Sequence, residues 1–403
     1  MFEAFLRDLA GRAPALRELL DVPEDRQRAA GYFHTLREIC QQPFTWIDSA
    51  AAAVRMRGPL GAALDGTRAV TLTGSGSSLY AGECLALALQ AALRVPVQAI
   101  GGGEILTHGG WRLPPGRPAL VVSLARSGNS PESCAAVDLL LTAEPQCRHL
   151  AITCNASGRL ATSYQGRANF SSLVLDDRTN DRSLVMTSSF TSMVVAGRFL
   201  GLLDCPDVYQ ATVERLSAAA RGILAEHADA LAAAGASRFR SAVYLASWVR
   251  FGAAREAALK VQEMTAGNVY TFPETFLGLR HGPMSSVHGD TAVVCFLSAD
   301  KLARAYEFDL VRELDRKGLG SIRILAGERI PAELLRPGDI AIEYPAGLSD
   351  DDTAVLDVLV GQLLAFFRCR AEGFQPDAPS ASNVITRVVE PFRLHYLSEA
   401  EAL

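Results

Sequence analysis

The chain has 403 residues, 49% hydrophobic and 21% charged, ordinary values for a globular protein long enough to bury a core without disulfides or metal. A formal net charge of −5 at pH 7 argues against a non-specific grip on nucleic acid, which calls for a basic domain. No run approaches 18 uninterrupted apolar residues, and the first twenty residues mix charge into every turn, which speaks against a membrane span and a signal peptide.

The first fifty residues predict a helical arm of two helices, the second running from about Asp25 to Cys40, with Pro43 ending or kinking it. From Ala69 the pattern turns to strand-turn-helix units: a strand at Ala69–Thr73, a Gly/Ser turn at 74–78, and a helix from Leu79 to about Leu93. Gly101-Gly102-Gly103-Glu104 reads as a turn after a strand. No acidic residue at the right distance makes it a dinucleotide fingerprint. Strands at 119–124, 149–153 and 171–175, with a helix opened by Pro131, complete a parallel set. A largely helical stretch, 191–234, leads to a second series with strands at 242–246, 291–297, 321–325 and 339–344 and helices at 252–266, 307–317 and 352–370. The reading is α/β: an arm at 1–50, two doubly wound parallel-sheet domains at 51–215 and 216–370, and a tail at 371–403. The stretch from Pro376 to Leu397 is expected to run extended over the surface.

Eight cysteines lie scattered without a CxxC pair, and the nearest two, Cys147 and Cys154, lack partners at zinc spacing. Together with the missing leader pattern this predicts a soluble, cytoplasmic protein with reduced thiols and no metal site. Cys154, at a strand end, has no local base and reads as a buried inert thiol.

Two turns place hydroxyls and backbone N–H groups at a helix start: Ser75, Ser77 and Ser78 in the first, Ser127 and Ser130 in the second. One such turn is well explained by serine capping the helix. Two at the carboxyl edge of one parallel sheet point instead to a phosphate site. In the second half, Glu256, Lys260 and Glu263 are spaced four and three apart and so share one helix face. The chain is rich in Arg and has Lys only at Lys260, Lys301 and Lys317, so the ammonium here is notable. The competing reading is a surface ion pair between Glu256 and Lys260, with Glu263 in solvent. A loop beyond reads Phe276-Leu277-Gly278-Leu279-Arg280-His281-Gly282-Pro283.

Gly74-Ser75-Gly76-Ser77-Ser78 and Ser127-Gly128-Asn129-Ser130 resemble the two phosphate-cradling loops of the sugar isomerase (SIS) domain superfamily. The E-x-x-x-K-x-x-E helix and the His281-Gly282-Pro283 triplet resemble the isomerase domain of glucosamine-6-phosphate synthase. Arg37-Glu38-Ile39-Cys40-Gln41-Gln42-Pro43, Asp181-Arg182 with Met186-Thr187-Ser188-Ser189, and Arg387-Val388-Val389 are similar to the tagatose-6-phosphate ketose/aldose isomerase family, whose members are also described as galactosamine-6-phosphate deaminases. The resemblance covers nearly the whole chain.

It implies a sugar 6-phosphate held by Ser78, Ser127 and Ser130 with help from Ser77, and no cofactor. It implies Glu263 as the proton-shuttling base, Lys260 as the catalytic lysine and His281 as the ring-opening residue. The chemistry fits: moving a proton between C1 and C2 needs a carboxylate within reach of both carbons, and an ammonium would stabilise the enediolate oxygen. Arg126 and Arg387 stand as substrate-contacting candidates. The resemblance further implies an obligate homodimer, with His281 donated across the interface. Two departures stand out. Ser247-Trp248-Val249-Arg250 replaces a Gly-rich loop, so the phosphate is expected only in the first domain. Arg387 occupies a region where the synthase has a lysine, which weighs against Schiff-base chemistry. The expected activity is deamination and isomerisation of a hexosamine 6-phosphate, galactosamine 6-phosphate favoured. A plain aldose-ketose isomerase and a non-catalytic sugar-phosphate sensor are the alternatives, the latter disfavoured by the lack of a helix-turn-helix module. No residue of the sequence by itself reads the substituent at C2 or the epimer at C4.

Overall fold

The computed structural model describes residues 1–109, 113–380 and 384–395. Among these, short runs of buried aliphatic residues form ten strands in two five-stranded sheets. The first sheet holds β1 (Val70–Gly74), β2 (Val97–Gly101), β3 (Ala119–Ala125), β4 (Cys147–Thr153) and β5 (Phe170–Val174), in the order β2-β1-β3-β4-β5. The second holds β6 (Ser241–Ala246), β7 (Tyr270–Thr275), β8 (Thr291–Phe296), β9 (Ile322–Gly327) and β10 (Ile340–Glu343), in the order β10-β9-β8-β6-β7. Every pairing is parallel and the two orders are equivalent. β3 and β8 are buried along their whole length, as strands covered by helices on both faces must be. The chain is thus α/β with two tandem, doubly wound sheets. Each has a topological switch point, between β1 and β3 and between β6 and β8, where open α/β sheets hold ligands.

The helices before the first sheet are α1 (Phe2–Arg12), α2 (Pro14–Leu20), α3 (Glu24–Ala29), α4 (Phe33–Cys40), α5 (Gln42–Arg55) and α6 (Arg57–Leu64). The arm is therefore a chain of short helices where two were expected. Pro14 and Pro43 each sit in a first turn, where the missing N–H costs nothing, so Pro43 opens a helix as well as closing one. Around the first sheet lie α7 (Ser77–Leu93), α8 (Gly102–His108), α9 (Pro131–Ala143) and α10 (Arg159–Thr162). The expected glycine turn at Gly102 is in fact the start of α8, because Glu104 reaches back to the Gly101 N–H at 3.2 Å. Then come α11 (Ser188–Arg198), α12 (Pro206–Glu226), α13 (Ala228–Ala236), α14 (Phe251–Met264), α15 (Lys301–Arg316) and α16 (Asp350–Ala371). The expected divisions at residues 50 and 215 fall inside α5 and α12. Strand β7 escaped the sequence reading because Pro273 interrupts it, and an edge strand tolerates that missing donor.

One hydrophobic core runs through both sheets. Its spine is α16, buried from Thr353 to Cys369, and α14 lies between this spine and α7 of the first domain. Glycine makes the approach possible: a Cβ on Gly252 would stand 2.8 Å from the Cys84 backbone nitrogen. The tail is anchored at Asp377, whose carboxylate accepts from the Thr35 N–H at 2.7 Å and the His34 N–H at 3.1 Å at the start of α4. Residues 384–392 then run beside the carboxyl edge of the first sheet, where they form part of a cavity wall and do more than cover surface. The stretches 381–383 and 396–397 of the expected tail segment lie outside the described residues. Among the described residues no helix is long and apolar enough to cross a membrane.

Candidate active site

At the first switch point the backbone turns sharply twice. Gly76 and Gly128 adopt φ of +56° and +63°, values that favour glycine. Each turn feeds a helix, α7 or α9, so two N-termini converge on a cavity of about 710 Å³. Ser77, Ser78, Ser127 and Ser130 all line it. Simple capping does not account for them: Ser130 stands at the cap position of α9 without a side-chain cap bond, and the cap residue of α7 is Gly76. Arg126 also lines the cavity but is largely committed elsewhere. Its guanidinium donates to Leu184 O at 2.9 Å, Ser183 O at 3.2 Å and the carbonyl of Arg387. Burial pulls its pKa down, though a guanidinium remains charged.

Helix α14 enters from the second domain. Glu256 and Lys260 are both fully buried, which excludes the surface ion pair. Lys260 Nζ lies 2.6 Å from Glu263 Oε2 and 3.1 Å from Glu256 Oε1, and donates to Ser77 Oγ at 3.2 Å. The Lys–Ser contact ties α14 to the first phosphate-type loop. Burial, with Glu263 adding to it, raises the Glu256 carboxyl to about 7 against the pull of Lys260. Burial works against the Lys260 ammonium, but its two carboxylate neighbours raise its pKa on balance. Glu263 alone of the three lines the cavity, its side chain 23% exposed.

His281 is not brought into this group. It ends a short 3-10 turn after β7, is exposed to solvent, and does not line the cavity of its own chain. Arg387 lines the cavity but turns its guanidinium into the protein, donating to Asp181 O and Asn180 Oδ1, both at 2.7 Å. Cys154 is fully buried and its thiol is pushed up to about 12 by burial, so it is inert.

Several residues of the site have no role in the sequence reading. Leu184, Met186 and Phe392 supply an apolar wall, and Glu132 and Glu390 add carboxylates. Beneath Leu184 lies a buried polar frame. Asp181 receives the N–H groups of Thr187, Ser188 and Ser189 at 2.8, 3.2 and 2.9 Å, an anion at the start of α11. Glu38 of α4 receives Arg182 N–H at 2.6 Å, Ser183 N–H at 3.2 Å and the Ser183 hydroxyl. Gln41 and Gln42 continue the frame to Arg178, Ser188 and Gln362. These are the residues of the Arg37–Pro43 and Asp181–Ser189 motifs, and they hold the segment that in turn holds Arg126 and Arg387. The signal available in the sequence was the Arg37–Pro43 and Asp181–Ser189 motifs themselves, in which Glu38 shares a helix face with His34, Thr35, Gln41 and Gln42.

No family model matches the chain. A D-galactosamine-6-phosphate deaminase AgaS from Escherichia coli is 33% identical over 368 residues, covering 90% of this chain and 95% of the relative. A Streptomyces coelicolor protein given the provisional name D-galactosamine-6-phosphate deaminase AgaS is 36% identical over 377 residues, covering 91% and 96%. Among solved structures, tagatose-6-phosphate ketose/aldose isomerase from Escherichia coli superposes with a TM-score of 0.81 at 30% identity, over 90% of this chain and 97% of that one.

Proposed function

Because the chain belongs to the AgaS family of D-galactosamine-6-phosphate deaminases, we propose that it converts galactosamine 6-phosphate and water to a ketohexose 6-phosphate and ammonia. The observation that carries the reading is the Glu263–Lys260–Ser77 chain of contacts, which joins a potential base to a hydroxyl-rich anion loop inside one cavity. Ser78, Ser127 and Ser130, with Ser77 and the two helix N-termini, hold the phosphate. Glu263 takes the C2 proton of the opened aminoaldose and returns it to C1, leaving an imine at C2. Water adds to that imine and ammonia departs, so one C–N bond breaks and one C=O bond forms. Lys260 stabilises the oxyanion at C1 as it develops. No metal or cofactor enters these steps.

The ring must open first, and the residue for that task is His281 from a second copy of the chain. Among the described residues no histidine lines the cavity, while His281 is exposed at the surface. The aldose-ketose isomerase remains a second reading, favoured by the solved isomerase from Escherichia coli. The two separate on one assay: galactosamine 6-phosphate should yield ammonia and ketose phosphate in equal amounts. Ketose formed only from 2-hydroxy aldose phosphates, with no ammonia from the amine, would leave the isomerase.

A further inference from the structure

The second sheet winds like the first, so its own ligand corner lies between the carboxyl ends of β6 and β8. The loop after β8 carries the equipment of the loop after β3: successive backbone amides and a serine hydroxyl leading into a long helix, α15. In the first domain that equipment faces a cavity of about 710 Å³; in the second, the space enclosed at Arg250, Leu297 and Asp350 is about 10 Å³, and the hollow of about 540 Å³ beside it at Ala299, Glu328 and Gly347 is open surface. The protein's own carboxylates fill the space. Asp350 accepts from the Ala299 N–H at 2.8 Å and from the Ser298 hydroxyl, and Glu307 accepts from the Ser298 N–H at 2.7 Å.

Beside them lies the Arg250 guanidinium, 1% exposed. It forks onto Asp357 at 2.7 and 2.6 Å, stands 3.6 Å from Asp350 and donates to the Leu297 carbonyl. The Tyr344 hydroxyl adds a third donor to Asp357 at 2.8 Å. Two residues before Arg250, Trp248 takes a left-handed φ of +57° and is 62% exposed. A bulky residue holds such a backbone only where its surroundings over-determine it. Arg250 immediately precedes α14, the helix of Glu256, Lys260 and Glu263.

We propose that Arg250 is a positioning residue. The corner that holds a ligand's anion in the first domain holds resident carboxylates in the second, and through Arg250 this internal anion site sets the register of α14 and the reach of Glu263 into the cavity. The proposal rests on the reaction inferred above, but part of its test does not.

Asp350→Gly removes a resident carboxylate, keeps Arg250 and the amides, and leaves room for formate. With galactosamine 6-phosphate, kcat should fall at least about tenfold while KM stays within about twofold, since a misplaced reacting group costs rate more than binding. Formate should restore several-fold of the lost kcat in this variant and do nothing for wild type. Arg250→Lys keeps the charge but loses the fork; it should show the same kcat loss and no response to formate. Should Asp350→Gly not fold, the split between kcat and KM in Arg250→Lys carries the test. Formate should also raise the melting temperature of Asp350→Gly by several degrees and that of wild type by none. That shift needs no substrate, so it holds or fails whether or not wild type releases ammonia. Unchanged kcat in both variants, a loss confined to KM, or no formate effect on kcat or melting of Asp350→Gly overturns the proposal.

Discussion

Three charges share one face of α14 with little water to screen them, and they are not equivalent. Glu256 is sealed behind Lys260, while Glu263 reaches the cavity. Replacing Glu263 removes one of two carboxylates beside the ammonium and leaves Glu256 in place, so the fold loses little. In the proposed mechanism the proton shuttle loses its base, help worth on the order of 10²–10⁴-fold. We therefore expect Glu263→Gln to bind sugar phosphate and melt close to wild type while turnover drops at least about a hundredfold. Titration calorimetry, melting curves and steady-state rates on one preparation check this; normal turnover would remove Glu263 from the mechanism. The use of lysine at position 260 in a chain whose basic residues are mostly arginine fits the same geometry. A compact ammonium fits between two carboxylates and a hydroxyl, where a planar guanidinium would ask for more room.

The elements differ in how far the sequence discloses them. The two Gly/Ser turns and the face of α14 are local patterns, spanning a few residues, so their placement follows from spacing and from the strand or helix that carries them, while the roles proposed for them come from the family resemblance. The frame under the site is not local: Glu38 and Ser183 are 145 positions apart, and no periodicity links them. The same holds for Arg387, whose side chain leaves the cavity for Asn180 and Asp181. Strand β7 was hidden by Pro273, and the plug of the second corner by contacts distant in sequence, from Asp350 of α16 to the loop after β8 and from Asp357 of α16 to Arg250.

The frame also makes a prediction of its own. Burial, reinforced by Asp181, raises the Glu38 carboxyl to about 8. Unfolded, it would titrate near the ordinary value of about 4.3. Between those values the folded state binds more protons, so this group's contribution to stability is full below about pH 4 and is lost as pH rises toward 8. Glu38→Gln keeps an acceptor for the Arg182 and Ser183 amides without the titration. Its melting temperature should fall less than wild type's between pH 5 and about 8. In unfolding free energy the difference between the two proteins should be on the order of a few kcal/mol at the alkaline end. Parallel melting profiles for the two proteins would show that Glu38 titrates normally.

For the whole molecule, the decisive matter is that the cavity of one chain lacks His281 while its surface displays it. If a second copy supplies the residue, each cavity draws Glu263 from one chain and His281 from the other. A His281→Ala chain and a Glu263→Gln chain would then each be crippled alone. Mixed and allowed to exchange, random pairing makes half the dimers hybrid, each with one intact site, and returns about a quarter of wild-type turnover. No recovery after verified exchange would place ring opening within a single chain.

Like-wound halves with unlike corners divide the labour between them. In the proposed mechanism the open half grips the constant part of a substrate, its phosphate, and the other half mounts the helix that does the reacting; the two halves meet at Lys260 and Ser77. Changes around α14 can therefore alter what is done to a sugar while the handle by which it is held stays as it was. A chain arranged this way can diversify its chemistry without having to reinvent its binding.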